Sequence, residues 1–141
     1  MSQGQLIARG AARLLASHDF ATLEEFVPAR GMRVDVMALG SRSELWVVEC
    51  KSSRADFQSD TKWRGYLDYC DRFFWAVGAD FPTELLPDNT GLIVADGYGG
   101  EILRMGDETK LAHARRQATL RSFARAACLR LQRLRDPDAL I

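Results

Sequence analysis

Apolar residues along this chain change their spacing several times, and each change marks an element. From Gln3 to Ser17, Leu6, Ile7, Ala11, Leu14 and Leu15 recur at helical spacing, which predicts an amphipathic helix weakened at Gly10. Asp19 ends it. Glu24 to Val27 reads as a short strand closed by Pro28, and the turn Ala29-Arg30-Gly31 leads into a second strand, Arg33 to Leu39. A further turn at Gly40 to Ser43 precedes Leu45 to Lys51, whose Trp46, Val47 and Val48 suit a central strand. A helical pattern then opens near Ser53 or Asp56 and runs through Phe57, Trp63, Leu67 and Cys70. Strands are expected at Arg72 to Val77, at Gly91 to Ala95 and around Glu101 to Arg104, with Phe81 to Leu86 as a connection. A last helix covers Lys110 to Arg135, with Leu111, Leu120, Phe123, Ala127, Leu131 and Leu134 on one stripe. This order predicts an α/β or α+β layer arrangement, with α/β the expected class: a mixed β-sheet flanked by helices, with one helix at the N-terminal end and one at the C-terminal end.

Composition narrows the class without choosing a function. A chain of 141 residues suits one domain, and a hydrophobic fraction of 47% with 27% charged residues fits a globular protein rather than a disordered one. The apolar runs are too short to cross a bilayer, and Met1 to Leu15, carrying Arg9 and Arg13, lacks the layout of a secretory signal; a cytoplasmic protein with no membrane partner is expected. Cys50, Cys70 and Cys128 have no C-x-x-C spacing, so reduced thiols are expected rather than a disulfide framework or a thiolate zinc site.

Net charge is zero, but it is unevenly distributed. Residues 1–108 hold 11 Lys and Arg against 17 Asp and Glu, whereas residues 109–135 hold eight basic residues and no acid. The final helix therefore combines its apolar stripe with Arg115, Arg116, Arg121, Arg125, Arg130, Arg133 and Arg135, a surface suited to tracking a phosphate backbone or simply to solvation.

The chemistry is concentrated around the third strand. Side chains alternate along a strand, so Glu49 and Lys51 share one face and Cys50 points to the other. A hairpin through Gly40 to Ser43 would bring Asp35 to the same place. Two clustered carboxylates repel each other, and a hard dication such as Mg²⁺ or Mn²⁺ offsets that repulsion. In this reading Asp35 and Glu49 hold the metal with the Cys50 carbonyl as a further ligand, while Lys51 orients or deprotonates water and offsets charge on a phosphate. Spacing alone equally fits an ordinary ion pair at a strand end.

Asp35, the hairpin, Glu49-Cys50-Lys51 and a helix with Lys62 and Tyr66 resemble the PD-(D/E)XK nuclease superfamily. More closely, the blocks Arg33-Val34-Asp35-Val36, Trp46 to Ser53, Asp56-Phe57, Asp60 to Trp63, Cys70 to Val77 and Gly91 to Asp96 resemble the bacterial MmcB-like DNA repair proteins, over about residues 20 to 135. The resemblance implies a single restriction-endonuclease-like domain over residues 1–141 and a metal-dependent hydrolysis of DNA phosphodiesters in DNA repair or mutagenesis. It implies Asp35, Glu49 and Lys51 as the acidic and basic signature, and DNA as partner, with other repair proteins and a second copy as further candidates. Lys62 and Tyr66 stand where related nucleases carry a Gln-x-x-x-Tyr pair.

Two departures qualify it. Val34 replaces the Pro of the motif, and the first helix has no acid, which leaves Glu25, with Glu24 behind it, as the nearest substitute for a helix-borne Glu. Arg54, Lys62, Arg64 and Tyr66 are the expected DNA contacts. A catalytically weak or inactive protein that binds DNA structures, or acts as an adaptor on the same scaffold, is the alternative. Asp68 and Asp71 read as surface or capping residues, and Trp63, Phe73, Phe74 and Trp75 as core rather than a base-stacking platform.

Overall fold

In the computed structural model, which describes residues 1–139, six strands form one sheet in sequence order. The strands are β1 (Ala21–Phe26), β2 (Val34–Leu39), β3 (Leu45–Lys51), β4 (Arg72–Val77), β5 (Gly91–Ala95) and β6 (Gly100–Arg104). The first three form an antiparallel meander, β3, β4 and β5 run parallel, and β6 returns antiparallel. Every residue of β3 is buried, as its place inside the sheet requires. The sheet is therefore mixed, as the alternation of strand and helix patterns predicts.

Helices cover both faces. Helix α1 (Gln3–Ser17) starts at a capping box in which Ser2 and Gln5 exchange side-chain and backbone hydrogen bonds. It packs Ile7, Ala8, Ala11 and Leu15 against Val36, Val48, Phe74, Ala76 and Ile93. The opposite face takes Trp63 and Tyr66 from the β3–β4 crossover and Phe123 from α4 (His113–Arg135), packed on Met37, Val47, Phe73, Trp75 and Val77. Gly10, expected from the sequence to be only a weak point, is a close approach: a Cβ there would overlap the carbonyl oxygens of Asp96 and Gly99.

Two expectations are corrected. The helix expected after Lys51 is broken into α2 (Arg54–Gln58), α3 (Trp63–Tyr66) and a 3₁₀ turn (Leu67–Tyr69). The cause is Asp60, whose carboxylate accepts from the backbone N–H groups of Lys62 (2.8 Å) and Trp63 (3.1 Å) and so starts a new helix. Asp71 is buried, not a surface residue. One of its oxygens accepts from the Leu45 amide (2.8 Å) and the other from the Leu111 amide (2.9 Å), while Arg116 clamps both at 2.7 and 2.6 Å. Together with the Thr109 amide, which donates to the Asp71 carbonyl, this keeps residues 109–111 out of the helix and delays α4 to His113.

Candidate active site

The ladder between β2 and β3 stops at the pair Val36 and Val48, and the two strands splay beyond it. Side chains fill the gap. The Asp35 amide donates to Glu49 Oε1 at 2.8 Å, and the Cys50 amide donates to Asp35 Oδ2 at 2.7 Å. Each carboxylate thus substitutes for a backbone acceptor of the other strand. Extending the register of the flanking pairs sets the backbone of Glu25 level with that of Asp35 and the backbone of Asp35 level with that of Glu49, an acidic row of backbone positions across three neighbouring strands. Glu25 adopts a positive φ of 51°, which breaks the alternation of β1 so that Leu23 and Phe26 face the same core.

Burial sets the electrostatics of this row. Glu49 is 5% exposed, and burial, with the neighbouring Asp35 charge, pushes its pKa up to about 8. Burial likewise raises Asp35, with Asp56 adding to the effect; the Cys50 amide and the Lys51 charge counter it in part. Burial and the same two carboxylates hold the Cys50 thiol well above its usual range, so this residue offers a neutral side chain. Its carbonyl points the same way as its N–H in extended backbone, toward the gap.

Lys51 is almost fully buried beside the Glu49 carboxylate, with its ammonium 6.0 Å from the centre of the Trp75 ring. Its partner is Asp60, at 2.8 Å. Burial alone would lower the Lys51 pKa, but the Asp60 hydrogen bond and charge, reinforced by Asp56 and Glu49, raise it. Lys51 is therefore a cation. Asp60, for its part, is favoured as a neutral acid by burial, yet the Lys51 hydrogen bond and the Lys62 amide hold it below the usual carboxylate range. Asp56 accepts from the Ser52 amide (3.0 Å) at the turn out of β3. Sequence reasoning missed both aspartates. Their spacing of four residues, directly after a strand ending in Lys51, was the available signal.

The structure brings the remaining candidates together unequally. Glu25 and Glu24 line one cleft with Asp35 and Cys50, closed on the far side by Ser2, Gly4, Gln5 and Ala8 of the α1 end. Lys62 and Tyr66 line a second hollow with Arg33 and Met32. Tyr66 is a core residue in the cluster around Trp75, not an exposed contact, and burial followed by the charges of Glu49, Asp60 and Asp35 raises its pKa. Arg54 is exposed at the first position of α2, and Arg64 lays its guanidinium 4.6 Å from the centre of the Trp63 ring.

These donors suit a hard dication in kind, because Asp35 Oδ1 and Glu49 Oε2 accept no hydrogen bond among the described residues and both acids are held above their usual range by burial. Among the described residues no three His, Cys, Asp or Glu side chains form a ready cage, so a dication held by Asp35 and Glu49 would draw its further ligands from the Cys50 carbonyl or water. No described helix is long and apolar enough to cross a membrane.

A family model described as "DNA repair protein MmcB-like" matches residues 1–138. No curated protein matches the chain. A solved structure of a Silicibacter pomeroyi protein of unknown function is similar, with 60% identity, a TM-score of 0.95, and coverage of 99% of this chain and 95% of that one.

Proposed function

The chain belongs to the MmcB-like DNA repair protein family, and from that premise we propose that it is a metal-dependent nuclease of the PD-(D/E)XK type, hydrolysing DNA phosphodiesters at the splayed end of β2 and β3. The observation that carries this reading is the joint placement of Asp35 and Glu49, each bonded across the gap, with the Lys51 cation beside them. Asp35, Glu49 and the Cys50 carbonyl would hold Mg²⁺ or Mn²⁺, with water completing the shell. Such an ion supplies Lewis-acid stabilisation of the phosphate and a more acidic bound water.

The chain's own residues divide the remaining work. Lys51, kept protonated by Asp60, is suited to orient the attacking water and to offset negative charge on the phosphorane-like transition state rather than to take a proton. Asp35 and Glu49 fix one another through the opposing amides, so the free oxygen of each is held in place before any ligand arrives. Arg54, Lys62 and Arg64, all exposed on the crossover after Lys51, are the cations proposed to meet the phosphates on either side of the bond to be cut.

A second reading, a DNA-structure-binding adaptor with little turnover, is favoured by one observation: the charge of the Lys51 ammonium is already matched by Asp60, which leaves less of it to offset a phosphate. Incubating the protein and its Asp35→Asn variant with nicked, branched and single-stranded DNA in Mn²⁺ or Mg²⁺ separates the two. Cleavage by the first and at least a hundredfold slower cleavage by the second is expected for the nuclease. DNA binding that ignores the metal, with no cleavage by either protein, would establish the adaptor and exclude the hydrolytic role.

A further inference from the structure

Seven arginines lie on α4, and the fold uses only three of them. Arg116 clamps Asp71 and donates to the Ser43 carbonyl, Arg130 donates to the carbonyls of Glu24 and Glu25, and Arg115 stacks 4.3 Å from the centre of the Tyr69 ring. Arg121, Arg125, Arg133 and Arg135 are exposed and make no hydrogen bond or ion pair among the described residues. Beyond Phe123 no residue of the helix is fully buried, and what ties its second half to the sheet is Ala126 against the core and Arg130 on β1.

Helical geometry arranges three of these cations. At 3.6 residues per turn, Arg121, Arg125 and Arg135 fall within an arc of about 80°, opposite Phe123, over a length of about 21 Å. Cys128 and Gln132, both exposed, complete the stripe. No acid occurs between Glu108 and Asp136, so nothing on the helix neutralises it. Like charges one turn apart disfavour a helix on its own, and a polyanion lying along them removes that repulsion. The stripe carries no exposed aromatic ring on which unpaired bases could stack, which points to backbone contact rather than to base contact.

We propose that Arg121, Arg125 and Arg135 form a contact stripe for the phosphate backbone of duplex DNA outside the catalytic cleft. This rests on the proposed reading that DNA is the partner. Because Arg130 fastens the same helix to the carbonyls of Glu24 and Glu25, which wall the cleft, the stripe is held in fixed relation to the acidic row. It anchors a duplex arm without reading its sequence, while the β2–β3 end engages the strand to be cut. Leu131 and Leu134, exposed on the neighbouring flank, are the surface a protein partner would use instead.

The test is a fluorescence-anisotropy titration of a labelled duplex with the full chain at several salt concentrations and without divalent ions. It compares the natural protein, an Arg121→Glu/Arg125→Glu/Arg135→Glu variant, and a Leu131→Ser/Leu134→Ser variant. The arginine variant is expected to bind at least about tenfold more weakly and to flatten the slope of log affinity against log salt by about 3, near 0.9 for each phosphate that is no longer neutralised. Its thermal unfolding should match that of the natural protein, since all three positions are exposed. Unchanged affinity and slope would overturn the stripe while leaving DNA as the partner through the cleft. Loss of affinity confined to the leucine variant would assign the helix to an apolar interface, and absence of duplex binding by the natural protein would defeat the DNA reading itself.

Discussion

Glu49 carries the clearest signature of a charge held where water is scarce. Its folded pKa of about 8 lies above the ordinary 4.5 of an unfolded chain, because burial and Asp35 both favour the neutral acid. Below about pH 4.5 both states are protonated and the residue imposes no penalty. As pH rises toward 8 the unfolded chain ionises first, so metal-free stability must fall across that window and level off above it. Urea midpoints recorded from pH 5 to 8 in a chelating buffer should decline, and Glu49→Gln should flatten the decline; equal slopes for the two proteins would show that Glu49 is not the group responsible. The same environment explains why Lys51 needs Asp60: an ammonium this buried, left without a partner, would carry a large desolvation cost.

Among the elements, the junction of β3, the start of β4 and α4 depends on one side chain. Asp71 joins the Leu45 and Leu111 amides to Arg116 at 3% exposure, so it ties three segments distant in sequence. Removing its charge leaves a partly buried guanidinium unmatched. Asp71→Asn is expected to lower unfolding free energy by about 3 kcal/mol in denaturant titrations, and a loss under about 0.5 kcal/mol would mean that the pair is exposed in solution. The pH sign is opposite to that of Glu49. Burial alone would raise Asp71, but Arg116 and the two amides hold it below 3.8, so its contribution is complete above that value and fades as pH falls through the folded pKa. The break between α2 and α3 follows from the same kind of local competition, since Asp60 serves at once as acceptor for the Lys62 and Trp63 amides that open α3 and as partner for Lys51.

For the whole molecule, the carboxyls of Asp35 and Glu49 are held toward their neutral forms at one end of a closed core, and on the proposed reading a dication bound there stabilises the folded state by mass action. Mn²⁺ at about 100 times its dissociation constant is expected to add about 2.7 kcal/mol and to raise Tm by several degrees. Asp35→Asn should abolish the rise, and an equal rise in that variant would place the ion elsewhere. The sheet itself was legible in the residues: β3, β4 and β5 begin and end where the β-branched and aromatic runs do, because a strand buried on both faces needs an unbroken apolar text. The alternation that sets Glu49 beside Lys51 was equally local. What the linear order left open was every partner brought from afar. Arg116 meets Asp71 from 45 residues away, and α1 needs Gly10 because the β5–β6 turn presses on it. Glu25 comes level with Asp35 only through strand register, and Arg121, Arg125 and Arg135 are left without partners among the described residues because Phe123 turns the opposite side of α4 to the sheet. Periodicity and propensity act over a few residues and can be read in order. Pairing of charges, burial of carboxylates and exposure of a helix half depend on which segments pack together, and that is decided when the layers close.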